Sequence, residues 1–198
     1  MLGNDIVDLC KAKADSNWQR NGYLAKIFNV EERAQILASP NANLMVWTLW
    51  SMKEATYKII NRELSKRFYS PRKFTCKSNG TEGIVAFEGR IFYTRSEIGD
   101  HSVHTIACTE KQNLALIQTY YGKNNSSYLH DFYAKFESYS IEKNSHGQPY
   151  LVDKEHGATY AISISHHGLY VAIVFPHYLL SPKHDTNPFP SSKIFRLN

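Results

Sequence analysis

Apolar runs and one long amphipathic stretch organise the first third of the chain. Residues 2–9 form an apolar run that predicts a strand. Residues 29–37 follow a helical pattern with Asn29 as the N-cap, and Pro40 ends that helix. A longer helix is predicted from Asn43 to about Leu64. Its core face would carry Val46, Trp47, Trp50, Tyr57 and Ile60.

The pattern changes to short strands after residue 73. Residues 84–87 and 90–93 flank a Glu88-Gly89 turn and predict a hairpin. Residues 103–108 and 114–119 predict two further strands, and residues 121–127 form a polar break that suits a linker. The remaining pattern predicts a helix with a core stripe, a hairpin over 160–175 around His167-Gly168, and a poorly ordered tail from Ser181. The stripe contains Leu129, Phe132, Tyr133 and Phe136.

The composition is typical of a packed domain with no membrane span. Hydrophobic residues make up 42% of the 198 positions, and no apolar run approaches the length of a membrane helix. The first residues do not resemble a signal peptide, and Cys10, Cys76 and Cys108 lack metal-ligand spacing. We therefore expect a cytoplasmic protein with free thiols. The net charge of +5 suits a polyanionic partner but does not identify one.

Three segments carry residues that suit phosphate chemistry. Glu54 and Lys58 are four positions apart in the long helix, so both side chains lie on one face. Asp5 lies in the first strand, and Ser165-His166 lies where a later strand approaches a turn. Together these residues suggest a metal-assisted site for a phosphorylated ligand. Taken singly, Asp5 also suits a surface carboxylate, and the Glu54–Lys58 spacing suits a plain helix salt bridge.

The same segments resemble the motifs of a known family. Gly3-x-Asp5 with Trp50-Ser51-x-Lys53-Glu54-Ala55-x-x-Lys58 resembles the paired signature of the 4′-phosphopantetheinyl transferases. The run from Lys143 to Tyr150 resembles the Gly-Lys-Pro segment of that family, with Gln148 in place of the usual Lys. Ser163-Ile164-Ser165-His166 resembles its Ser-x-Ser-His strand.

The resemblance implies an activity, a fold and a set of partners. The activity is Mg²⁺-dependent transfer of 4′-phosphopantetheine from coenzyme A to a serine of an acidic apo acyl or peptidyl carrier protein. The fold is α+β, with an antiparallel sheet packed by the long helix. The resemblance places the chain in fatty-acid, polyketide or peptide synthesis, with neither a nucleic acid nor a membrane as partner.

The resemblance also assigns roles to individual residues. It makes Asp5 and Glu54 the metal ligands and Glu54 and Lys58 the catalytic residues. The expected coenzyme A contacts are Lys53, Lys58, Gly147, Pro149, Ser165 and His166. The sequence departs from the family at Gln148, which removes a charge, and at Val7, where two-half enzymes often carry another acid. Asp8 has the opposite strand parity to Asp5 and should face the other side.

The order of the motifs bears on assembly. It matches the small, trimeric holo-acyl-carrier-protein synthases of the family, but roughly 85 residues separate Lys58 from Lys143, more than that type needs. We interpret residues 1–120 as a first half with the metal-binding strand and the long helix, residues 121–180 as a reduced second half, and residues 181–198 as a flexible tail. This arrangement favours a monomer, whereas a long insertion in a trimeric subunit explains the same facts.

Two other classes of function fit parts of the sequence. A non-catalytic module that holds coenzyme A or a carrier would tolerate Val7 and Gln148, although Asp5, Glu54 and Lys58 argue against it. A basic RNA-binding domain would fit the net charge, but Lys and Arg do not cluster on one predicted face.

Overall fold

A computed structural model describes residues 1–177 and has an α+β fold of antiparallel sheets and helices. The first sheet has the strand order β1-β5-β4-β3-β2. Its strands are β1 (Leu2–Asp8), β2 (Thr75–Ser78), β3 (Glu82–Phe87), β4 (Arg90–Ile98) and β5 (Ser102–Cys108). The predicted strands in 2–9 and 103–108 and the hairpin around Glu88-Gly89 are confirmed. Glu88 and Gly89 both have positive φ, as a tight two-residue hairpin requires.

Four α-helices lie between β1 and β2 along the chain. They are α1 (Leu9–Asp15), α2 (Tyr23–Ile27), α3 (Val30–Ala38) and α4 (Ala42–Leu64). The predicted N-cap Asn29 is confirmed, and it forms a capping box in which Asn29 and Glu32 are bonded reciprocally. Helix α4 is the predicted long helix, and its apolar face packs on the sheet in one core that includes Leu49, Met52, Ile59 and Phe92.

Beyond residue 116, the described residues form two three-stranded sheets and one α-helix. Strands β6 (Ile117–Lys123), β10 (Ser163–His167) and β11 (Tyr170–Pro176) form a sheet in the order β10-β11-β6. Strands β7 (Tyr139–Lys143), β8 (Pro149–Asp153) and β9 (Thr159–Ala161) form the other. Helix α5 (Tyr128–Lys135) packs Phe132 against Phe175, and Phe132, Tyr133 and Phe136 of the predicted stripe belong to one hydrophobic cluster, as expected for core residues.

Two sequence predictions in this region are wrong. Residues 114–116 belong to a 3₁₀ helix, Lys111–Leu116, rather than to a strand. Residues 121–123 are not linker, because Tyr121, Gly122 and Lys123 pair with β11 inside strand β6. A strand therefore crosses the boundary expected at residue 120, and the division into halves stays a prediction. The expected tail, residues 181–198, lies outside the described residues.

Helix α4 is long, but it carries five charged residues from Lys53 to Glu63. Within residues 1–177 no helix has the length and hydropathy to cross a membrane.

Candidate active site

Strand β1 and helix α4 touch closely enough to bring their acidic residues together. Gly3 makes this approach possible, because a Cβ at that position would collide with the backbone carbonyl of Ala55. The hydroxyl of Ser51 also donates to the backbone oxygen of Asp5 at 3.1 Å. These contacts explain why a glycine two positions before Asp5 accompanies the Glu54 segment.

Asp5 lies in the middle of β1 with a side chain that is only 14% exposed. Its Oδ1 accepts a hydrogen bond from Ser165 Oγ at 3.0 Å and lies 3.7 Å from Lys58 Nζ. Burial raises the pKa of Asp5, while Lys58 and then Ser165 act in the opposite direction. Asp5 is therefore a nearly buried carboxyl group at the meeting point of β1, α4 and β10.

Glu54 lies on α4, near enough to Asp5 for their charges to interact. Burial, followed by the nearby negative charge of Asp5, raises the pKa of Glu54 to about 7, and Lys58 offsets part of that rise. A raised carboxyl pKa with an identified charge partner is typical of functional sites.

Lys58, one helical turn after Glu54, reaches into the gap between β1 and β10. Its Nζ donates to the backbone oxygens of Asn4 at 2.7 Å and Ile164 at 3.4 Å. Burial lowers the pKa of Lys58, whereas Asp5 and Glu54 raise it. Its ion pair is with Asp5, so the interpretation of Glu54 and Lys58 as a plain helix salt bridge does not describe this group.

A cleft of about 520 Å³ opens beside Lys58. Helix α4, the loop from Lys143 to Pro149 and strand β10 supply its walls. The basic side chains that line it are Lys58, Arg62, Arg67, Lys143, His146 and His166. The cleft therefore combines a nucleotide-sized volume with a positive lining, which suits a phosphorylated ligand.

Four of the predicted coenzyme A contacts line this cleft, and Lys58 is one of them. Gly147 and Pro149 line it from the loop, and Gly147 has φ of +74°, as its tight turn requires. His166 is exposed and lines it from β10. Gln148 also lines the cleft, and its Nε2 donates to the backbone oxygen of Arg62 at 3.3 Å.

Arg62 and Arg67 were missed by the sequence reasoning. Arg62 Nη2 donates to the backbone oxygens of Ile162 at 2.6 Å and Pro149 at 3.0 Å, so it joins α4 to the second part of the chain. A signal for Arg62 was present, because it lies four residues after Lys58 on the same helix face. Arg67 lies beyond the end of α4, where helical spacing gives no information.

Lys53 does not line the basic cleft; with Glu54 it borders a separate cavity of about 120 Å³. Its side chain is 1% exposed, and its Nζ lies 2.7 Å from Glu32 Oε1. The same ammonium donates to the backbone oxygens of Pro71 and Phe74. Lys53 is therefore a buried cation whose ammonium is bound by protein oxygens. This position runs against the prediction that Lys53 contacts coenzyme A.

Ser165 and Asp8 are both buried, and neither lines the basic cleft. Ser165 is 4% exposed and turned toward β1, not toward the cleft. Asp8 is 3% exposed, caps α1 by accepting from the backbone N–H of Lys11, and accepts from the N–H of Leu169. Gly168, with φ of +55°, allows this contact, because a Cβ there would collide with the Asp8 carboxylate. Asp8 is therefore structural, as its strand parity indicated.

Asp5 and Glu54 are the two carboxyl groups of this site whose chemistry would suit Mg²⁺. Burial is the larger cause of the raised pKa of Glu54 and the negative charge of Asp5 is the second, and a hard divalent cation held by both carboxylates would relieve that second cause. Mg²⁺ commonly binds one or two carboxylates and completes its shell with waters and substrate phosphates. Within residues 1–177 no cluster of three or more His, Cys, Asp or Glu side chains could hold a metal. A metal here would therefore need water or ligand oxygens as well.

Comparison with known proteins gave a family match and similar solved structures. The model of the 4′-phosphopantetheinyl transferase superfamily matches residues 1–117. The search of curated proteins found no match. The crystal structure of Thermotoga maritima holo-[acyl-carrier-protein] synthase is similar over 75% of this chain and 80% of that one, with 12% identity and a TM-score of 0.43. At that score the structural likeness adds nothing to the family match.

Proposed function

Because the chain belongs to the 4′-phosphopantetheinyl transferase superfamily, we propose that it transfers 4′-phosphopantetheine from coenzyme A to a serine of an acidic apo acyl or peptidyl carrier protein, as a Mg²⁺-dependent holo-acyl-carrier-protein synthase. One observation carries this proposal. The positively lined cleft opens beside Lys58, whose ammonium also lies next to Asp5, so a nucleotide site and an acidic site share one residue.

The cleft residues would bind and orient coenzyme A. The 3′-phosphate and the diphosphate carry the negative charge that Arg62, Arg67 and Lys143 would neutralise. Gly147 and Pro149 would shape the loop against the nucleotide, and His166 would donate to a phosphate. Lys58, which lines the cleft and pairs with Asp5, would contact the diphosphate. Binding of this kind supplies positioning, which is much of the catalysis in phosphoryl transfer.

The chemical step exchanges one P–O bond for another. The carrier serine oxygen would attack the β-phosphorus of coenzyme A, and the bond from that phosphorus to the bridging oxygen would break. The products are the phosphopantetheinylated carrier and adenosine 3′,5′-bisphosphate. Glu54, directly or through a water, would accept the serine proton, and Lys58 would neutralise charge on the diphosphate.

Asp5 and Glu54 would hold Mg²⁺, which when bound would polarise the diphosphate and stabilise the leaving group. Ser165 and Lys58 would keep the Asp5 carboxylate in place for that role.

We also propose that one chain contains the whole site. Within a single chain, Asp5 and Glu54 come from the family-matched residues, while Lys143 and His166 come from beyond residue 121. A monomer would then be active, and the two halves interpreted from the sequence would meet at the cleft.

The decisive experiment is intact mass spectrometry of an apo acyl carrier protein incubated with this protein, coenzyme A and Mg²⁺. A gain of the phosphopantetheine mass on the carrier serine supports the transferase. Coenzyme A binding by calorimetry with no mass gain on acyl or peptidyl carriers would instead favour the non-catalytic module.

A further inference from the structure

Strand β10 is joined to β1 by side chains instead of by a backbone ladder. Strand β1 is the edge of its sheet, and the edge that faces away from β5 points toward β10. Alternate residues of β10 accept hydrogen bonds from the backbone N–H groups of that edge. The three bonds join Asn4 N to Ser163 Oγ (3.1 Å), Ile6 N to Ser165 Oγ (2.9 Å) and Asp8 N to His167 Nδ1 (2.9 Å). We call these three β10 residues the seam.

The seam meets a requirement of the fold. Alternate residues of a strand project to the same side, so one side of β10 can serve every second N–H of β1. A buried strand edge with unpaired N–H groups would be costly, and the seam supplies the missing acceptors. The sequence pattern Ser-x-Ser-x-His therefore has a structural explanation in which none of the three needs to contact a ligand.

Ser165 differs from Ser163 in one contact. Besides accepting from Ile6, the Ser165 hydroxyl donates to Asp5 Oδ1 at 3.0 Å. A hydroxyl has a single hydrogen to donate, so Ser165 cannot also donate to a phosphate while it holds Asp5. A hydrogen bond to a carboxylate is about twice as strong as one between neutral groups, and its direction fixes the carboxylate.

We propose that Ser165 is a positioning residue that orients the Asp5 carboxylate for a divalent cation and makes no contact with coenzyme A. The proposal rests on the metal role of Asp5 in the proposed function. It makes the acidic site dependent on the seam, because Asp5 receives this donor only when β10 lies against β1. The two parts of the chain would then cooperate in metal binding as well as in forming the cleft.

The test compares two serines that make matched seam bonds. Calorimetry would measure Mn²⁺ binding to the full chain as wild type, Ser165→Ala, Ser163→Ala and Ser165→Thr. Loss of a group that orients a metal ligand commonly weakens metal binding about 10- to 100-fold, so we expect about tenfold weaker binding for Ser165→Ala. Ser163→Ala, which loses a seam bond but no Asp5 contact, should stay within about twofold of wild type. Ser165→Thr, which keeps the hydroxyl, should recover most of the affinity.

Two results would overturn the proposal. Equal weakening in Ser163→Ala and Ser165→Ala would reduce Ser165 to a structural seam residue. The second result is a Ser165→Ala protein that binds Mn²⁺ as wild type does but binds coenzyme A more weakly in the absence of metal. That result would make Ser165 a coenzyme A contact.

Failure of the proposed function has a different signature. Wild-type protein that binds no Mn²⁺ would remove the metal from that function. Crystal structures of the metal-free Ser165→Ala and Ser163→Ala proteins would then decide whether Ser165 orients the Asp5 carboxylate. We expect the Asp5 carboxylate to turn away from its position in Ser165→Ala only, and an unmoved carboxylate in both variants would contradict the positioning role.

Discussion

The hydroxyl of Ser165 donates to Oδ1 of Asp5 at 3.0 Å across 160 positions of sequence. The contact brings the last described hairpin of the chain against its first strand. Because Lys58 pairs with Asp5 and also lines the basic cleft, Asp5 and the cleft belong to one continuous group, which includes residues from both sides of the boundary expected at residue 120.

The environment of Lys53 predicts an effect on stability and not on ligand binding. Lys53→Met should lower the free energy of unfolding by about 3–5 kcal/mol, because Glu32 would be left as a buried, unpaired carboxylate. The double variant Lys53→Met/Glu32→Gln should recover part of that loss. Urea unfolding measures both. Weaker coenzyme A binding by folded Lys53→Met, with little loss of stability, would return Lys53 to the ligand contacts.

The burial of Lys53 shows where prediction from the sequence reached its limit. Lys53 follows Leu49 by four positions and precedes Ile60 by seven, so helical spacing already placed it on the buried stripe of α4. Its motif position outweighed that signal. By contrast, local spacing placed Glu54 and Lys58 on one helix face, and the motif resemblance associated Asp5 with them.

Contacts between distant segments could not be predicted in this way. Pairing of Tyr121–Lys123 with β11 depends on residues about 50 positions later, so the polar run looked like a linker. The Ser165–Asp5 bond and the reach of Arg62 to Pro149 are equally non-local. Local sequence patterns predict helices, strands and the side of each that is buried. They do not predict which distant segment packs against that side, because that depends on the tertiary fold.

The lining of the cleft predicts a salt-dependent loss of coenzyme A affinity. Arg67→Gln and Lys143→Gln should each weaken binding about two- to fivefold at low salt, the range for exposed charge pairs, and less at high salt because of screening. Lys77→Gln is the matched control, because Lys77 lines a different surface cavity. Calorimetry at two ionic strengths measures the effect. Equal losses in all three variants would mean that only net charge matters.

The pKa of Glu54 predicts that metal binding depends on pH. The pKa is raised to about 7, so below that pH a metal must displace a proton from Glu54, and above it the carboxylate is already charged. Mn²⁺ affinity should therefore rise about tenfold per pH unit up to about pH 7 and level off beyond it. Calorimetry at about pH 6, 7 and 8 would measure this rise. If the Mn²⁺ affinity of the wild-type protein does not change with pH, Glu54 is not a metal ligand with a pKa of about 7.

A single-chain site predicts no rescue between inactive variants. Glu54→Gln and Lys143→Glu/His166→Glu damage the acidic group and the cleft, which lie on different segments of the chain. Mixing the two proteins should restore no transfer if each chain holds its own site. Recovered activity, together with a trimer by light scattering, would place the cleft of one chain against Glu54 of another.

The central claim is that Asp5 and Glu54 are the acidic centre of a phosphopantetheinyl transfer. The most direct measurement is the initial rate of mass gain on an apo carrier protein with coenzyme A and Mg²⁺. Asp5→Asn and Glu54→Gln should lower that rate by at least about 100-fold, beyond the loss usual for a residue that only supports a metal ligand. Both variants should unfold at temperatures near that of wild type. The exposed ion-pair variant Glu63→Gln, on the same helix, should keep the wild-type rate. Transfer by either acidic-centre variant at the wild-type rate would contradict the account.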